Sequence, residues 1–318
     1  MLTKNKIKKD LISILDFSKE EICNLLQSAK KLKSDRTLQS KSLTGKTLAM
    51  IFQKPSTRTS VSFAAGMVQL GGFPLILNPQ DLQMKRGESI EDTAKIMSRF
   101  VDGIMIRANK HEDVLDLGKH STIPIINGLT DKEHPCQVLA DLLTIYEQKN
   151  LTEPSDLKNI KLTYLGDGNN MAHSLMLAAA LLGMEMVVSS PKNYEPEKEY
   201  LQKSLTIAKT SGAKISIIND PMSAVANADI LYTDVWASMG KDEEREHRKQ
   251  IFMPYQINIS LLPFANPDAQ IMHCLPAHRG EEITEEIIDG PRSIVLDQAE
   301  NRLHIQKAIL LYLLADIL

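Results

Sequence analysis

The sequence predicts an α/β protein built of two doubly wound parallel-sheet domains. Three observations lead there. Apolar runs of strand length alternate with longer amphipathic stretches along almost the whole chain. Such alternation suits parallel strands, because each crossover helix returns the chain and covers one face of the sheet. At 318 residues the chain exceeds one typical domain and suits two of about 150 residues each. Polar and charged motifs fall at the carboxyl ends of the apolar runs, where open α/β sheets bind ligands.

In the first half, strands are expected at 47–52, 74–77, 103–107 and 123–126. Helices are expected at 18–33, 59–70, 89–101, 111–118 and 135–149. Gly71-Gly72 ends the second of these, Ser89-Ile90-Glu91-Asp92 resembles a capping box, and Pro135 suits a first helical turn. The polar stretch 150–159, with Pro154, reads as a hinge. The pattern then restarts. Strands are expected at 161–165, 185–189, 214–218, 229–233, 270–274 and 293–296, and helices at 170–182, 196–210, 241–250 and 299–317.

Composition narrows the function. Hydrophobic residues make up 43% of the chain, ample for two cores. A net charge of -3 implies neither a nucleic acid nor an anionic membrane as partner. No window approaches an uninterrupted apolar span of about 18 residues, and the basic start lacks the apolar segment of a signal peptide. Cys23, Cys136 and Cys274 are odd in number and far apart, which fits a reducing, cytoplasmic setting and no disulfide framework.

Ser56-Thr57-Arg58-Thr59-Ser60 is the most informative stretch. It follows the apolar run 47–52, Pro55 breaks the chain, and a helix begins. Hydroxyls, an arginine and free backbone N–H groups thus meet at a helix N-terminus, which suits a phosphate. Arg58 adds a planar fork that matches phosphate oxygens. The plainer reading is a polar cap with one solvated arginine.

Other strand ends add chemistry. Arg107 ends the run 103–106 and either points into the crevice or is a solvated strand end. His134-Pro135-Cys136-Gln137 opens the next helix. A histidine there tends to stay neutral and can donate one hydrogen bond to a polarised carbonyl, beside the Gln137 amide; alone, it reads first as a structural helix start with a buried cysteine. Gly166-Asp167-Gly168-Asn169-Asn170 resembles the start of a dinucleotide fingerprint but lacks the third glycine. Asn169 or Asn170 could cap the helix or hold a carboxylate.

Asp234-Val235-Trp236-Ala237-Ser238-Met239-Gly240 follows the strand at 229–233. Asp234 suits an ammonium group, or caps a short turn. The charged run 241–249 reads as a solvated helix face. In His273-Cys274-Leu275-Pro276, adjacent strand residues point to opposite faces, so His273 cannot readily activate Cys274. Cys274 is then an acceptor for an amine or a packed small residue, and no ligand spacing around it points to zinc. Arg302, near the expected start of the last helix, opposes the dipole preference unless an anion lies nearby.

Together these stretches resemble the transcarbamoylase family over nearly the whole chain, and within it the branch that acts on ornithine. The resemblance lies in Phe52-Gln53-Lys54-Pro55-Ser56-Thr57-Arg58-Thr59, in the His-Pro-Cys-Gln and His-Cys-Leu-Pro motifs, and above all in the Asp234–Gly240 loop. It implies an active site in the cleft between a carbamoyl phosphate-binding domain, 1–149, and an ornithine-binding domain, 150–298, with the helix 299–318 returning to the first. Ser56, Thr57, Arg58 and Thr59 would hold the phosphate, with Arg302 closing the site. Arg107, His134 and Gln137 would reach the carbamoyl end. Gln83, five residues before Glu88 as in the family, would reach a neighbouring subunit's site, which implies a homotrimer. Asn170 would bind the ornithine carboxylate; Asp234, Ser238 and Met239 its α-amino end. Cys274 and the Leu275 carbonyl would face the δ-amine.

The resemblance implies transfer of the carbamoyl group to the δ-amine of L-ornithine, giving L-citrulline and phosphate, a step of arginine biosynthesis. Arg107, His134 and Cys274 are the expected catalytic residues, with no metal or organic cofactor having a task. Rival readings are a relative that uses putrescine or an acylated ornithine, a nucleotide-dependent dehydrogenase built on Gly166 and Gly168, and a non-catalytic amino-acid-binding protein.

Overall fold

The structure is a computed structural model that describes residues 8–78, 80, 82, 87–237 and 245–315. The chain divides into two compact units. The first takes the chain up to Leu139 and again from Arg302, and the second takes Ala140–Asn301. The first division falls inside a helix, ahead of the polar stretch at 150–159.

Unit 1 contains α1 (Lys19–Ser34), β1 (Thr47–Phe52), α2 (Thr57–Gln69), β2 (Phe73–Leu77), α3 (Ile90–Met97), β3 (Gly103–Arg107), α4 (His111–His120), β4 (Ile125–Leu129) and the start of α5 (Pro135–Gln148). Its four strands are parallel, in the order β2-β1-β3-β4. β1 and β3 are apolar and buried nearly throughout, as central parallel strands require. Ser18 caps α1 by accepting the Glu21 N–H while the Glu21 carboxylate accepts the Ser18 N–H. Ser89 caps α3 through the Asp92 N–H.

Unit 2 contains the rest of α5, then β5 (Lys161–Leu165), α6 (Asn170–Leu182), β6 (Glu185–Ser189), α7 (Lys198–Ser211), β7 (Lys214–Ile217), α8 (Pro221–Ala224), β8 (Ile230–Thr233), α9 (Arg245–Phe252), β9 (Gln270–His273), α10 (Glu285–Ile288) and the first turns of α11 (Val295–Leu310). Its five strands are parallel, in the order β7-β6-β5-β8-β9.

Both strand orders reverse direction once. In unit 1 the reversal lies between β1 and β3, and in unit 2 between β5 and β8. A crevice opens at the carboxyl ends of strands where the order reverses, because the flanking loops run to opposite faces. The chain leaving β1 carries Ser56–Thr59, and β3 ends at Arg107; the chain leaving β5 carries Gly166–Asn170, and that leaving β8 carries Asp234.

The structure departs from the sequence reading at several elements; α3, for one, ends at Met97 rather than 101. β4 begins at Ile125 rather than 123, because Pro124 has no N–H for the ladder and only its carbonyl pairs, with the Ile104 N–H. The run 293–296 is not a strand. Ser293 makes a single bridge to Ile271, and α11 begins at Val295, with Leu296 78% exposed. A short apolar run is ambiguous between the two periods, and here tertiary context selects the helix. α2 begins at Thr57 rather than 59. Finally, α11 starts four residues before 299, so Arg302 lies in mid-helix, and the dipole argument made for it does not hold.

The end of the chain is tied to its start within unit 1. Glu21 takes hydrogen bonds from Lys9 and from Tyr312, which follows α11, and the Tyr312 ring meets Phe17 edge-on at 5.3 Å. Burial alone would raise the Glu21 pKa, but bonds from Lys9, Tyr312 and the Ser18 N–H outweigh it and hold it at about 2. A depressed carboxylate stabilises the fold above its unfolded pKa and loses that contribution as pH falls through the folded one. Glu21→Gln should therefore cost about 1 kcal/mol at pH 7 after solvent screening. The gap to the parent should close between about pH 4.5 and pH 2, as read by chemical denaturation. A gap independent of pH would contradict this account.

Candidate active site

The unit 1 site grows from the cap of α2. Ser56 is the N-cap and its hydroxyl accepts the Thr59 N–H at 3.4 Å. α2 has no acidic residue in its first turn, although its first N–H groups carry positive partial charge. Thr59 is buried, Ser56 and Arg58 are half-buried, and Thr57 is exposed. Arg302 reaches Thr59 Oγ1 at 3.1 Å and Gln137 Oε1 at 2.6 Å. Ser56 Oγ also donates to Thr59 Oγ1, at 3.0 Å. Both lone pairs of that oxygen are thus engaged, which directs its own proton elsewhere.

Arg107 is only 9% exposed, which removes the solvated reading of this strand end. The ladder between β3 and β4 shifts register between Ile106 and Arg107, an irregularity of the kind that re-aims a side chain. His134 sits at the start of α5, its carbonyl accepting the Gln137 and Val138 N–H groups. Its pKa falls well below the ordinary histidine value, first because it is buried and then because Arg302, Arg107 and Arg58 surround it. His134 is therefore neutral, and the main cause is burial and guanidinium charge rather than the helix dipole alone. Cys136 next to it is a packed thiol. Burial pushes its pKa up to about 12, and its Sγ meets the Asn127 carbonyl at 3.3 Å.

In unit 2, Asn169 caps α6, its side-chain oxygen accepting the Met171 and Ala172 N–H groups. Its amide N–H₂ donates to Asp234 Oδ2 at 3.0 Å. Sequence reasoning left the two asparagines interchangeable. Here Asn169 is the cap and Asn170 is the first residue of the helix. Asp234 Oδ1 accepts the Val235 N–H at 2.8 Å and the Cys274 thiol at 3.0 Å.

The glycines at 166 and 168 have a packing reason. A Cβ on Gly168 would stand 2.1 Å from the Pro196 backbone nitrogen, and Gly166 has φ +136°. The loop is thus pressed onto the 194–196 segment, where a fingerprint glycine would face a pyrophosphate.

Arg248 corrects one expectation. The run 241–249 was expected to be a solvated face, yet Arg248 is buried at 4% exposure. It pairs with Asp167, donates to the Trp236 carbonyl, and lies over the Tyr194 and Phe252 rings at 4.9 and 5.0 Å. Little in its own stretch signals this, because Asp167, Tyr194 and Trp236 all lie outside α9. Gln83, Ser238 and Met239 lie outside the described residues.

Among the described residues, two clusters have metal-ligand types: Asp234, His273 and Cys274, and His278, Glu281 and Glu282. Several of their donor atoms already have partners. His273 Nδ1 accepts the Leu275 N–H at 2.8 Å and its Nε2 meets Glu282 at 3.0 Å, while Glu281 pairs with Arg245 at 2.6 Å. Leu275 has φ +55°, a left-handed conformation that costs an L-residue about 1–2 kcal/mol.

With this geometry in hand, comparison with known proteins is direct. The carbamoyl-P binding domain of the aspartate/ornithine carbamoyltransferases matches residues 9–147, and the Asp/Orn binding domain matches residues 158–313. The chain belongs to this family. An ornithine carbamoyltransferase from Methanospirillum hungatei is 53% identical over 311 residues, which cover 97% of this chain and 100% of the relative. One from Anoxybacillus flavithermus is 56% identical, covering 96% of each. The solved structure of ornithine carbamoyltransferase from Pyrococcus furiosus is 51% identical and superposes with a TM-score of 0.92 over 98% of both chains. The first match spans Ser56–Thr59, Arg107, His134 and Gln137; the second spans Asn170, Asp234, Cys274 and Arg302.

The charge environment of His134 can be tested directly. Its ring should show no protonation between about pH 7.5 and 5.5, where an ordinary histidine titrates. Histidine-selective NMR reads this, and a midpoint near 6.5 would contradict the arginine-ringed, buried site.

Proposed function

We propose that the chain transfers the carbamoyl group of carbamoyl phosphate to the δ-amine of L-ornithine, releasing L-citrulline and phosphate. The observation that carries this reading is the convergence of Arg58, Arg107 and Arg302 on a neutral, buried His134. Such a site calls for an anion with a polarisable carbonyl beside it. The relatives' names supply the same chemistry.

The mechanism follows from where charge develops. Arg58, Arg302 and the N-terminus of α2 hold the phosphate through charge-assisted bonds. As the amine attacks, negative charge grows on the carbonyl oxygen. Thr59, through its uncommitted proton, Arg107 and neutral His134 donate to it, and Gln137 orients the carbamoyl amide. Phosphate then leaves into a site already matched to its charge. Asp234, held by Asn169 and Cys274, receives the α-ammonium group of ornithine, and Asn170 its carboxylate. Ser238 and Met239 belong to the same loop, and the Leu275 carbonyl and Cys274 receive the δ-amine. A thiolate beside a carboxylate is electrostatically disfavoured. Cys274 therefore acts better as a donor to Asp234, and the departing phosphate better accepts the amine proton.

Asp234 separates ornithine from its rivals. Putrescine has no α-ammonium group to pair with it, an acylated ornithine lacks the charge, and aspartate would bring a second carboxylate to its site. Phosphate release from carbamoyl phosphate should be fast with ornithine and at least about a hundredfold slower with putrescine, N-acetylornithine or aspartate, the margin a site built for a charged partner gives. Turnover with aspartate but not ornithine would sink the reading. In the same assay Arg58→Ala should lower kcat/KM by about a hundredfold or more, since it removes a bidentate charged contact. An unchanged rate would reduce the Ser56–Thr59 stretch to helix capping.

We also place the active form as a homotrimer in the cytoplasm, with Gln83 of each copy completing a neighbour's site. Val61 and Val68 of α2, Phe73, Leu75 and Ile76 of the edge strand β2, and Phe100 are exposed apolar side chains. An open strand edge with apolar neighbours favours burial against another copy. None of the three cysteines is in a disulfide, which suits a reducing compartment. Light scattering should give a mass of about three chains, and Phe73→Glu should lower it. A monomer that is fully active would remove Gln83 from the site.

A further inference from the structure

The geometry points to Glu282 and His273 as positioning residues that set the Cys274–Leu275 turn for the attacking amine; this rests on the reading above. β9 ends at His273, and the next two residues leave the sheet, with Leu275 held at φ +55°. A leucine does not stay there without support. The His273 ring supplies it. Nδ1 accepts the Leu275 N–H at 2.8 Å, so that nitrogen bears no proton. Nε2 therefore carries the proton and donates to Glu282 Oε1 at 3.0 Å.

The same carboxylate oxygen accepts the His278 backbone N–H at 2.6 Å. One oxygen thus ties both ends of the 273–278 turn. The two side chains of the dyad are wholly shielded from solvent. Burial tends to raise the Glu282 pKa, but the bonds from His273 and the His278 N–H outweigh it and keep it below the ordinary value. The dyad is itself anchored. The His273 N–H donates to Gln298 at 2.9 Å, Gln298 donates to Asp141 at 2.8 Å, and the Glu282 carbonyl accepts the Ile257 N–H at 3.0 Å.

A buried, hydrogen-bonded carboxylate adds little net stability compared with apolar packing of the same volume. What this pair contributes is direction. It turns the Leu275 N–H inward toward the ring, which fixes the plane of the neighbouring peptide groups. It also holds Cys274, whose thiol reaches Asp234 at 3.0 Å. The groups that would receive the ornithine amine are therefore set by two residues that need not touch substrate.

The test compares His273→Gln, His273→Asn and Glu282→Gln in the full chain. An Asn oxygen can replace Nδ1 as the acceptor for Leu275 without reaching Glu282, whereas Gln reaches toward Glu282 and leaves the Leu275 N–H unanswered. His273→Gln should lower kcat with ornithine by about a hundredfold, the cost of a misaligned reacting group, with the Kd for carbamoyl phosphate unchanged. His273→Asn should recover about tenfold of that loss. Independently of activity, alkylation of Cys274 by iodoacetamide, mapped by mass spectrometry, should accelerate in His273→Gln and Glu282→Gln while Cys23 does not change. Glu282→Gln keeps the shape of the side chain and carries this readout if His273→Gln fails to fold. Unchanged Cys274 alkylation, an Asn variant no better than Gln, or an equal loss of carbamoyl phosphate affinity would overturn the assignment. A parent unable to use ornithine would instead refute the proposed function, while the alkylation rates would still decide the positioning role.

Discussion

Crowded positive charge at the reversal point of the first sheet is the constraint around which unit 1 is arranged. Arg58 comes from α2, Arg107 from the end of β3 and Arg302 from the middle of α11. Arg107 and Arg302 are buried. Guanidinium groups gathered out of water repel one another and are costly unless hydrogen-bonded and offset by an anion. Arg302 is partly satisfied by Thr59 and Gln137. The imidazole among them responds by staying neutral. A neutral histidine in this setting keeps an N–H to give and brings no extra charge. Both properties suit a carbonyl oxygen that becomes negative beside a departing phosphate.

The second sheet presents the opposite sign at the equivalent place. Asp234 follows β8, across the reversal point from the chain leaving β5. Its oxygens are oriented by Asn169, the Val235 N–H and Cys274 before any substrate arrives. Such orientation removes the reorganisation that a mobile carboxylate would undergo on meeting an ammonium group. Arg248 links Asp167 to the Trp236 carbonyl, so the loop after β5 and the loop after β8 are joined by one buried cation. Each unit thus places charged groups at the same topological device, the reversal of strand order, with opposite sign in the two units.

Much of this was legible in the sequence because the signals are local. The strands at 47–52, 103–107, 161–165 and 185–189 and the helix 170–182 coincide with their observed bounds. Central parallel strands are continuous apolar runs, and their helices are closed by glycines such as Gly183 and Gly212 at φ +84° and +80°. Signals failed where two local patterns compete. Ser293-Ile294-Val295-Leu296 is largely apolar with two β-branched residues, yet its second half enters α11, since only one bridge to β9 is made there. Arg302 is expected at a helix start but lies in mid-helix, where its guanidinium donates to Thr59 and Gln137.

The sequence by itself determined the α/β class, the chemistry-bearing residues at strand ends and the resemblance that named their ligands. These depend on residue type and spacing along the chain, which periodicity and capping preference read directly. Tertiary structure alone decided which residues serve one another. Asn169 rather than Asn170 caps α6, Arg248 is buried, and Glu282 holds His273. The physical reason is that hydrogen-bond direction and charge screening are set by neighbours far away in sequence. Arg302 lies 243 residues from the threonine it touches, and no local pattern encodes that contact.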